Sequence, residues 1–239
     1  MTLEFTTTSV EAQISGVKVL VHAPAGTGKT VLLSTAPAPL IISGEKGLLS
    51  LKKKNLVKIF GENNPAITYD IPVMKIATFT DLQQALAVCK TNQVDAFQTI
   101  GLDSITEMAE QCLANAKATV KDPRQAYGEL IEQMVDIVKQ FRDLPNKNIV
   151  VIAKQAAVDV GNNATKMMPS MPGSKLGQML PYYFDEVFCL RMAKDVNGND
   201  TRYVQTQPDF QYEAKDRSGS LDINEIPNLT HIFNKILGE

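Results

Sequence analysis

The sequence predicts an α/β protein with a mostly parallel central sheet and helices on both faces. Three observations carry that prediction. Short apolar runs alternate along the chain with longer helix-compatible stretches, as in 17–22 (VKVLVH) and the residues that follow it. The run 148–153 (NIVVIA) is nearly all apolar and rich in β-branched residues, the composition of a parallel strand buried on both faces. Polar or glycine-containing turns follow these runs, at the carboxyl ends of strands where sheets of this kind bind ligands.

The elements read in order as follows. Residues 17–22 form the first strand, a Gly-containing turn follows, and 29–36 is compatible with a helix that Pro37 and Pro39 stop. Residues 40–43 (LIIS) make a second strand, broken by Gly44, Glu45 and Gly47, with the Lys52, Lys53, Lys54 run beyond. A strand at 73–77 precedes a helix whose start is read at Thr80, capping, with Gln83 reaching back; Leu82, Ala85, Leu86 and Cys89 line its inner face. The run 97–102 leads to Asp103, then come a helix to about Thr119 and a second over about 125–144. After the strand at 148–153, residues 156–181 are rich in Gly, Asn, Met and Pro without periodicity, which reads as a long functional or disordered loop. Strands resume at 186–191 and 201–205, and a short helix lies near the C-terminus.

At 239 residues the chain is expected to form one domain, with a core over about 17–192 and C-terminal strands and a short helix over 193–239. Apolar residues are 44% and charged residues 21%, so a folded chain is expected. A formal charge of −2 speaks against a surface coated in positive charge, so any nucleic-acid contact must be local. Cys89, Cys112 and Cys189 are odd in number and widely spaced, which suggests neither a disulfide framework nor a zinc site. The polar, Thr-rich start lacks the pattern of a signal peptide and no apolar run is long enough to span a bilayer, so a cytoplasmic protein without membrane contact is expected.

The chemistry concentrates at Ala23-Pro24-Ala25-Gly26-Thr27-Gly28-Lys29-Thr30. This string matches the phosphate-binding pattern G-x-x-x-x-G-K-[ST] everywhere except its first position, and it lies between a strand and a helix as the mechanism requires. Gly26 and Gly28 let main-chain N–H groups turn inward onto phosphate oxygens, and the helix that begins there, with Val31 in its first turn, adds its positive end. Pro24 to Val31 are therefore the expected nucleotide-binding residues, Lys29 reaching the β/γ phosphates and Thr30 ligating Mg2+. Asp103, ending an apolar strand, is the second expected Mg2+-site residue. Ser104 follows it where the AAA+ class usually carries a glutamate, so a catalytic base is sought elsewhere. Glu45, just past the second strand, fits that need, although loop carboxylates are commonly just solvated.

The stretch PLIISGEKGL resembles the strand and catalytic glutamate of RecA-type recombinases, and VMKIATFTDLQQALAVCKTNQVDAFQTIGLDS resembles their run into the Walker B aspartate-serine. NIVVIAKQ resembles their fourth core strand, whose terminal glutamine, here Gln155, senses the γ-phosphate and signals into a DNA-binding loop, here 156–181. Lys215-Asp216-Arg217 resembles the paired basic residues that such subunits extend in trans to a neighbour's γ-phosphate; the same string also suits a solvated surface turn. The resemblance covers about 17–220. It implies a RecA-like P-loop NTPase core, ATP and Mg2+ as ligands, and Lys29, Glu45, Asp103, Gln155, Lys215 and Arg217 as the catalytic set. RecA itself carries an N-terminal polymerisation helix and a C-terminal DNA-gathering domain, for which this chain is too short. It is more similar to the shortened, phage-encoded branch, which implies host cytoplasm, a homo-oligomer, single-stranded DNA and a single-strand-binding protein as partners.

The loop 156–181 and its edge offer Lys166, Lys175 and the Tyr182-Tyr183 pair for DNA, with the Lys52 to Lys54 run as a further phosphate contact; tyrosines before a strand also pack into cores, and a Lys triplet also makes a solvated face. His22 and His231 lack metal-ligand spacing and are read as packing or surface residues; Met167, Met168 and Met171 make an adaptable contact surface or cover a groove. The leading reading is a DNA-stimulated ATPase. Its rival is a nucleotide-gated interaction module, such as a helicase loader or packaging accessory factor. A small-molecule kinase lacks an Arg-rich lid here, and Asn146-Lys147-Asn148-Ile149 lacks the aspartate that reads guanine in N-K-x-D.

Overall fold

The computed structural model describes Thr7 and residues 16–45, 48–161 and 164–238; the rest of the Thr-rich start, and Gly47, lie outside them. Strand β1 (Lys18–Ala23) leads through the glycine loop into α1 (Lys29–Leu32), continued by a 3-10 turn over Leu33–Thr35, and β2 is Pro39–Ser43. A 3-10 turn (Leu49–Leu51) and helix α2 (Lys53–Phe60) follow, then β3 (Val73–Lys75), α3 (Phe79–Cys89), β4 (Thr99–Asp103), α4 (Ile105–Thr119) and α5 (Pro123–Arg142). The C-terminal half contains β5 (Asn148–Gly161), β6 (Ala164–Ser170), α6 (Ser174–Met179), β7 (Glu186–Lys194), β8 (Asp200–Gln205), β9 (Lys215–Asp216), β10 (Asn224–Glu225) and α7 (Leu229–Leu237).

The strands form one sheet in the order β10-β8-β7-β1-β5-β4-β2-β3, with β6 paired to β5 and β9 to β7. From β7 to β3 the pairings are parallel, and β8, β6, β9 and β10 join antiparallel. This is the mostly parallel α/β core expected. Strand β5 separates β1 from β4, so the phosphate loop and Asp103 end two strands apart at the same edge of the sheet.

Alternation sorts the core. Leu20, Ile42, Leu102, Ile149 and Val151 face one layer, filled by α3, α4 and α5 through residues such as Leu82, Met108 and Leu130. Val19, Val21, Ile41, Val150 and Ile152 face the other, filled by the α1 region and α7 through Leu32, Leu33, Leu229 and Phe233. Gly101 faces this second layer, where a methyl group would stand 2.8 Å from Leu33 Cδ2; its lack of a side chain lets the α1 turn lie against β4.

Two local expectations are corrected and one helix is added. The cap of α3 is Thr78, whose hydroxyl accepts from Asp81 N at 3.1 Å while the Asp81 carboxylate accepts from Thr78 N at 2.9 Å, so the reciprocal pair starts two residues before Thr80. Helix α2, for which the sequence offers no expectation, begins within the Lys52 to Lys54 run. The long loop of 156–181 is an antiparallel hairpin, β5 continuing to Gly161 and β6 returning from Ala164, followed by α6; residues 162 and 163 lie outside the described residues.

Candidate functional site

The loop between β1 and α1 requires glycine at two places. Gly26 has φ +77 and Gly28 φ +104, left-handed conformations that strain other residues. Thr27 Oγ donates to Pro24 O at 2.9 Å, bracing the loop from within. Lys29 Nζ donates to Ala23 O and Pro24 O, each at 2.9 Å, so its ammonium lies across the loop. Burial holds the Lys29 pKa below its ordinary value, with Asp103 and Glu45 acting against that and Lys154 with it.

Strand alternation puts Asp103 on the same side as Gly101, the side of α1. Thr30 Oγ donates to Asp103 Oδ2 at 2.7 Å. Asp103 is 2% exposed. Burial raises its pKa to about 6 against the Thr30 hydrogen bond, and Glu45 adds to the rise. A hard divalent cation suits this donor set: a hydroxyl and a buried carboxylate whose ionised form Lys29 helps to balance. The peptide between Asp103 and Ser104 is cis.

A cavity of about 920 Å³ opens here, lined by the loop, Glu45, Asp103, Lys154 and Gln155. Its volume lies within the range that accommodates a nucleotide-sized ligand. Ala25, Gly26, Gly28, Lys29, Thr30 and Val31 reach it, whereas Pro24 and Thr27 serve the loop's own bracing. Glu45 is exposed and reaches the cavity from the end of β2. Sequence reasoning missed the further wall made by Ser50, Asn55, Lys58 and Ile59, as well as Arg202 on β8. Lys154 precedes the expected Gln155 and was overlooked; it pairs with Glu107 at 3.0 Å and Glu110 at 3.5 Å.

Gln155 is wired to His22. Gln155 Nε2 lies 2.9 Å from His22 Nδ1 and donates to Cys189 Sγ at 3.3 Å. On the other side of the ring, His22 Nε2 is 2.7 Å from Glu213 O. A carbonyl only accepts, so Nε2 carries the proton and Nδ1 accepts from Gln155. Burial pushes the His22 pKa down to about 4, and the charges of Lys29 and Lys166 push the same way. The chain of contacts continues, since Glu213 pairs through its side chain with Lys166 on β6 at 2.7 Å, and Met167 N donates to Gln211 O. Of the packing and surface roles expected for His22, the structure shows packing, and the residue also joins the cavity to the hairpin.

Lys215 and Arg217 are not brought to this cavity. Strand β9 pairs with the start of β7, the end of the sheet opposite the phosphate loop. Lys215 Nζ donates to Pro181 O at 2.8 Å and to Phe184 O, and Arg217 pairs with Asp185 at 2.8 Å. Of the expected stacking pair, Tyr183 packs on the core beneath Lys139, while Tyr182 is 81% exposed. Met168 and Met171 are buried rather than presented as a contact surface. His231 is half exposed, 3.8 Å from Glu225.

Among solved structures, the chain is similar to a crystal structure of the RadB recombinase, with 16% identity over 87% of this chain and 96% of that chain and a TM-score of 0.45. No curated protein matches it. A family model described as an AAA domain matches residues 15–218 and so takes in β1, the glycine loop, Asp103, Gln155 and β9. With that match spanning most of its length and a P-loop whose threonine reaches the Asp103 carboxylate, the chain belongs to the AAA domain family.

Proposed function

We propose that the protein is a Mg2+-dependent ATPase of RecA-like type that binds single-stranded DNA in phage recombination or strand annealing. The observation that carries the ATPase part is the 2.7 Å contact between Thr30 and Asp103 at the mouth of a loop with two left-handed glycines. It joins the two residues that would hold Mg2+. When bound, Mg2+ would neutralise charge on the β- and γ-phosphate oxygens. Main-chain N–H groups from Gly26 to Val31 would hold those oxygens, and Lys29 would exchange two carbonyls for phosphate. Glu45 would orient a water and take its proton as it attacks the γ-phosphorus, while the bond to the β,γ-bridging oxygen breaks and ADP leaves.

Gln155, at the cavity, and β5–β6, its continuation, support coupling between the nucleotide and a projecting hairpin. One observation favours the rival, a nucleotide-gated interaction module acting on a protein partner. The hairpin's Lys154 and Lys166 are both paired with glutamates, so few of its cations are left for phosphates, while Tyr182 and Phe210 (98% exposed) offer apolar contact.

The deciding experiment measures ATP turnover with and without single-stranded DNA, and then with candidate protein partners. DNA stimulation supports recombination or annealing; turnover indifferent to DNA and raised by a protein supports the rival. Lys29→Ala should abolish ATP binding in a nucleotide titration, and unchanged affinity would remove the ATPase reading altogether.

A further inference from the structure

Arg202 stands on the far side of the phosphate loop from Asp103. In the sheet order, β4 ends two strands to one side of β1, and β8 lies two strands to the other. The β7–β8 hairpin continues beyond the last pairing of β7 with β1, His22 with Cys189, and Arg202 lies opposite Met192 in that extension. Alternation from Val204, which packs on the α1 layer, puts Arg202 on the same face as the loop. There its Nε donates to Thr27 O at 2.7 Å, and the guanidinium lies so close to Gly28 that a methyl group there would be 3.2 Å from Nε.

An arginine carries five N–H donors, and this anchor uses one. Among the described residues no other group takes the remaining four, and the side chain lines the same cavity as Lys29, Thr30 and Asp103. A planar cation fixed by its Nε with both terminal nitrogens unused is set up for phosphate oxygens, which it can meet with two parallel hydrogen bonds. The anchor comes from the protomer's own chain.

We propose that Arg202 is a nucleotide-binding residue acting in cis, its terminal nitrogens contacting the triphosphate on the side of the loop away from the Mg2+ residues. This rests on the ATPase reading above and adds to it a cation that needs no neighbouring subunit. The bound group it recognises is the phosphate chain, so it distinguishes ATP from adenosine.

The test titrates wild type, Arg202→Gln, Arg202→Ala and Arg202→Lys with ATP and with adenosine, with thermal melts of each to check folding. Glutamine keeps a donor for Thr27 O and removes the charge. The expected result is ATP binding weakened about tenfold to a hundredfold in both the Gln and Ala variants, partly kept in Lys, with adenosine binding unchanged. Near-normal ATP affinity in Arg202→Gln, or equal losses for ATP and adenosine, makes Arg202 a mere brace of the loop and overturns the proposal. Mixing Arg202→Ala with Lys29→Ala protein should restore no ATP turnover; restoration would mean the arginine acts across an interface. Failure of the wild type to bind ATP would sink the ATPase reading together with this one, whereas normal wild-type binding with an indifferent Arg202→Ala sinks this one alone.

Discussion

A proton added to His22 would go onto Nδ1 and point at the donor hydrogens of Gln155, in a site with no exposed surface. Burial is the main reason its pKa falls to about 4 from 6.5, and the charges of Lys29 and Lys166 add to the fall. Between those values the unfolded chain holds the extra proton, so this residue's contribution is complete above pH 6.5 and is lost as pH falls toward 4, about 3 kcal/mol in all. Glu186 acts in the opposite sense. Burial, reinforced by Asp216, raises its pKa to about 7 and its Oε2 has no hydrogen-bond partner among the described residues. Here the folded state holds the proton, so stability is lost as pH rises from 4.5 through 7. The two trends overlap, and difference curves separate them: in denaturant unfolding across pH 4.5–8, His22→Asn should show less loss on acidification than wild type, although it is less stable at neutral pH. Glu186→Gln should gain about 2 kcal/mol over wild type at pH 8 and little near pH 4.5. Parallel curves for either variant would contradict the corresponding assignment.

Gly101 decides how closely an element can approach the sheet. Its missing side chain admits Leu33, which fixes the α1 turn and with it the orientation of Thr30 toward Asp103. Gly101→Ala should cost about 1–3 kcal/mol by overpacking and weaken nucleotide binding in step, because Leu33 cannot move without the loop; unfolding and titration of the same sample measure both. Nothing in the sequence marks Gly101, since the strand around it is apolar either way. Elements with strong periodicity were legible: α4 ends at Thr119 as read, and the strand of 148–153 lies inside β5. The hairpin was not, because Ala, Met and Pro have weak strand preference, and its order comes from distant pairing: Met167 N with Gln211 O at 2.6 Å and Glu213 N with Met167 O at 2.9 Å. Helix α2 was hidden by lysines at its first turn, which oppose the helix dipole. The glycine loop and Asp103 were readable as motifs; Arg202 and His22 were not, because each acquires its contacts from residues more than a hundred positions away.

Across the whole molecule the sheet has a polarity: the cavity lies at the carboxyl ends of β1, β2 and β4, beside Lys154 and Gln155 midway along β5, and Lys215 and Arg217 lie at the other end, beside the start of β7. Within one protomer these two basic residues cannot share a nucleotide with Lys29, so any contribution to turnover must come from a second copy. The structure also separates the two. Lys215 is half-buried and its ammonium ties together the carbonyls of Pro181 and Phe184, contacts a finger reaching outward would have to give up. Arg217 is exposed and, among the described residues, pairs with Asp185 alone, in a solvent-screened pair. Lys215→Ala should therefore lower stability by about 1–3 kcal/mol, as loss of a cation from buried carbonyls does, whereas Arg217→Ala should stay within about 0.5 kcal/mol of wild type in denaturant unfolding. With folding intact, Arg217→Ala isolates the assembly question. If a neighbour's arginine completes the site, wild-type turnover per protomer rises with protein concentration and the variant loses that rise while matching the wild type at high dilution. A wild-type rate per protomer that is flat across concentration, or a variant that follows the wild type throughout, leaves Arg217 as a surface ion pair and the nucleotide site complete within one chain.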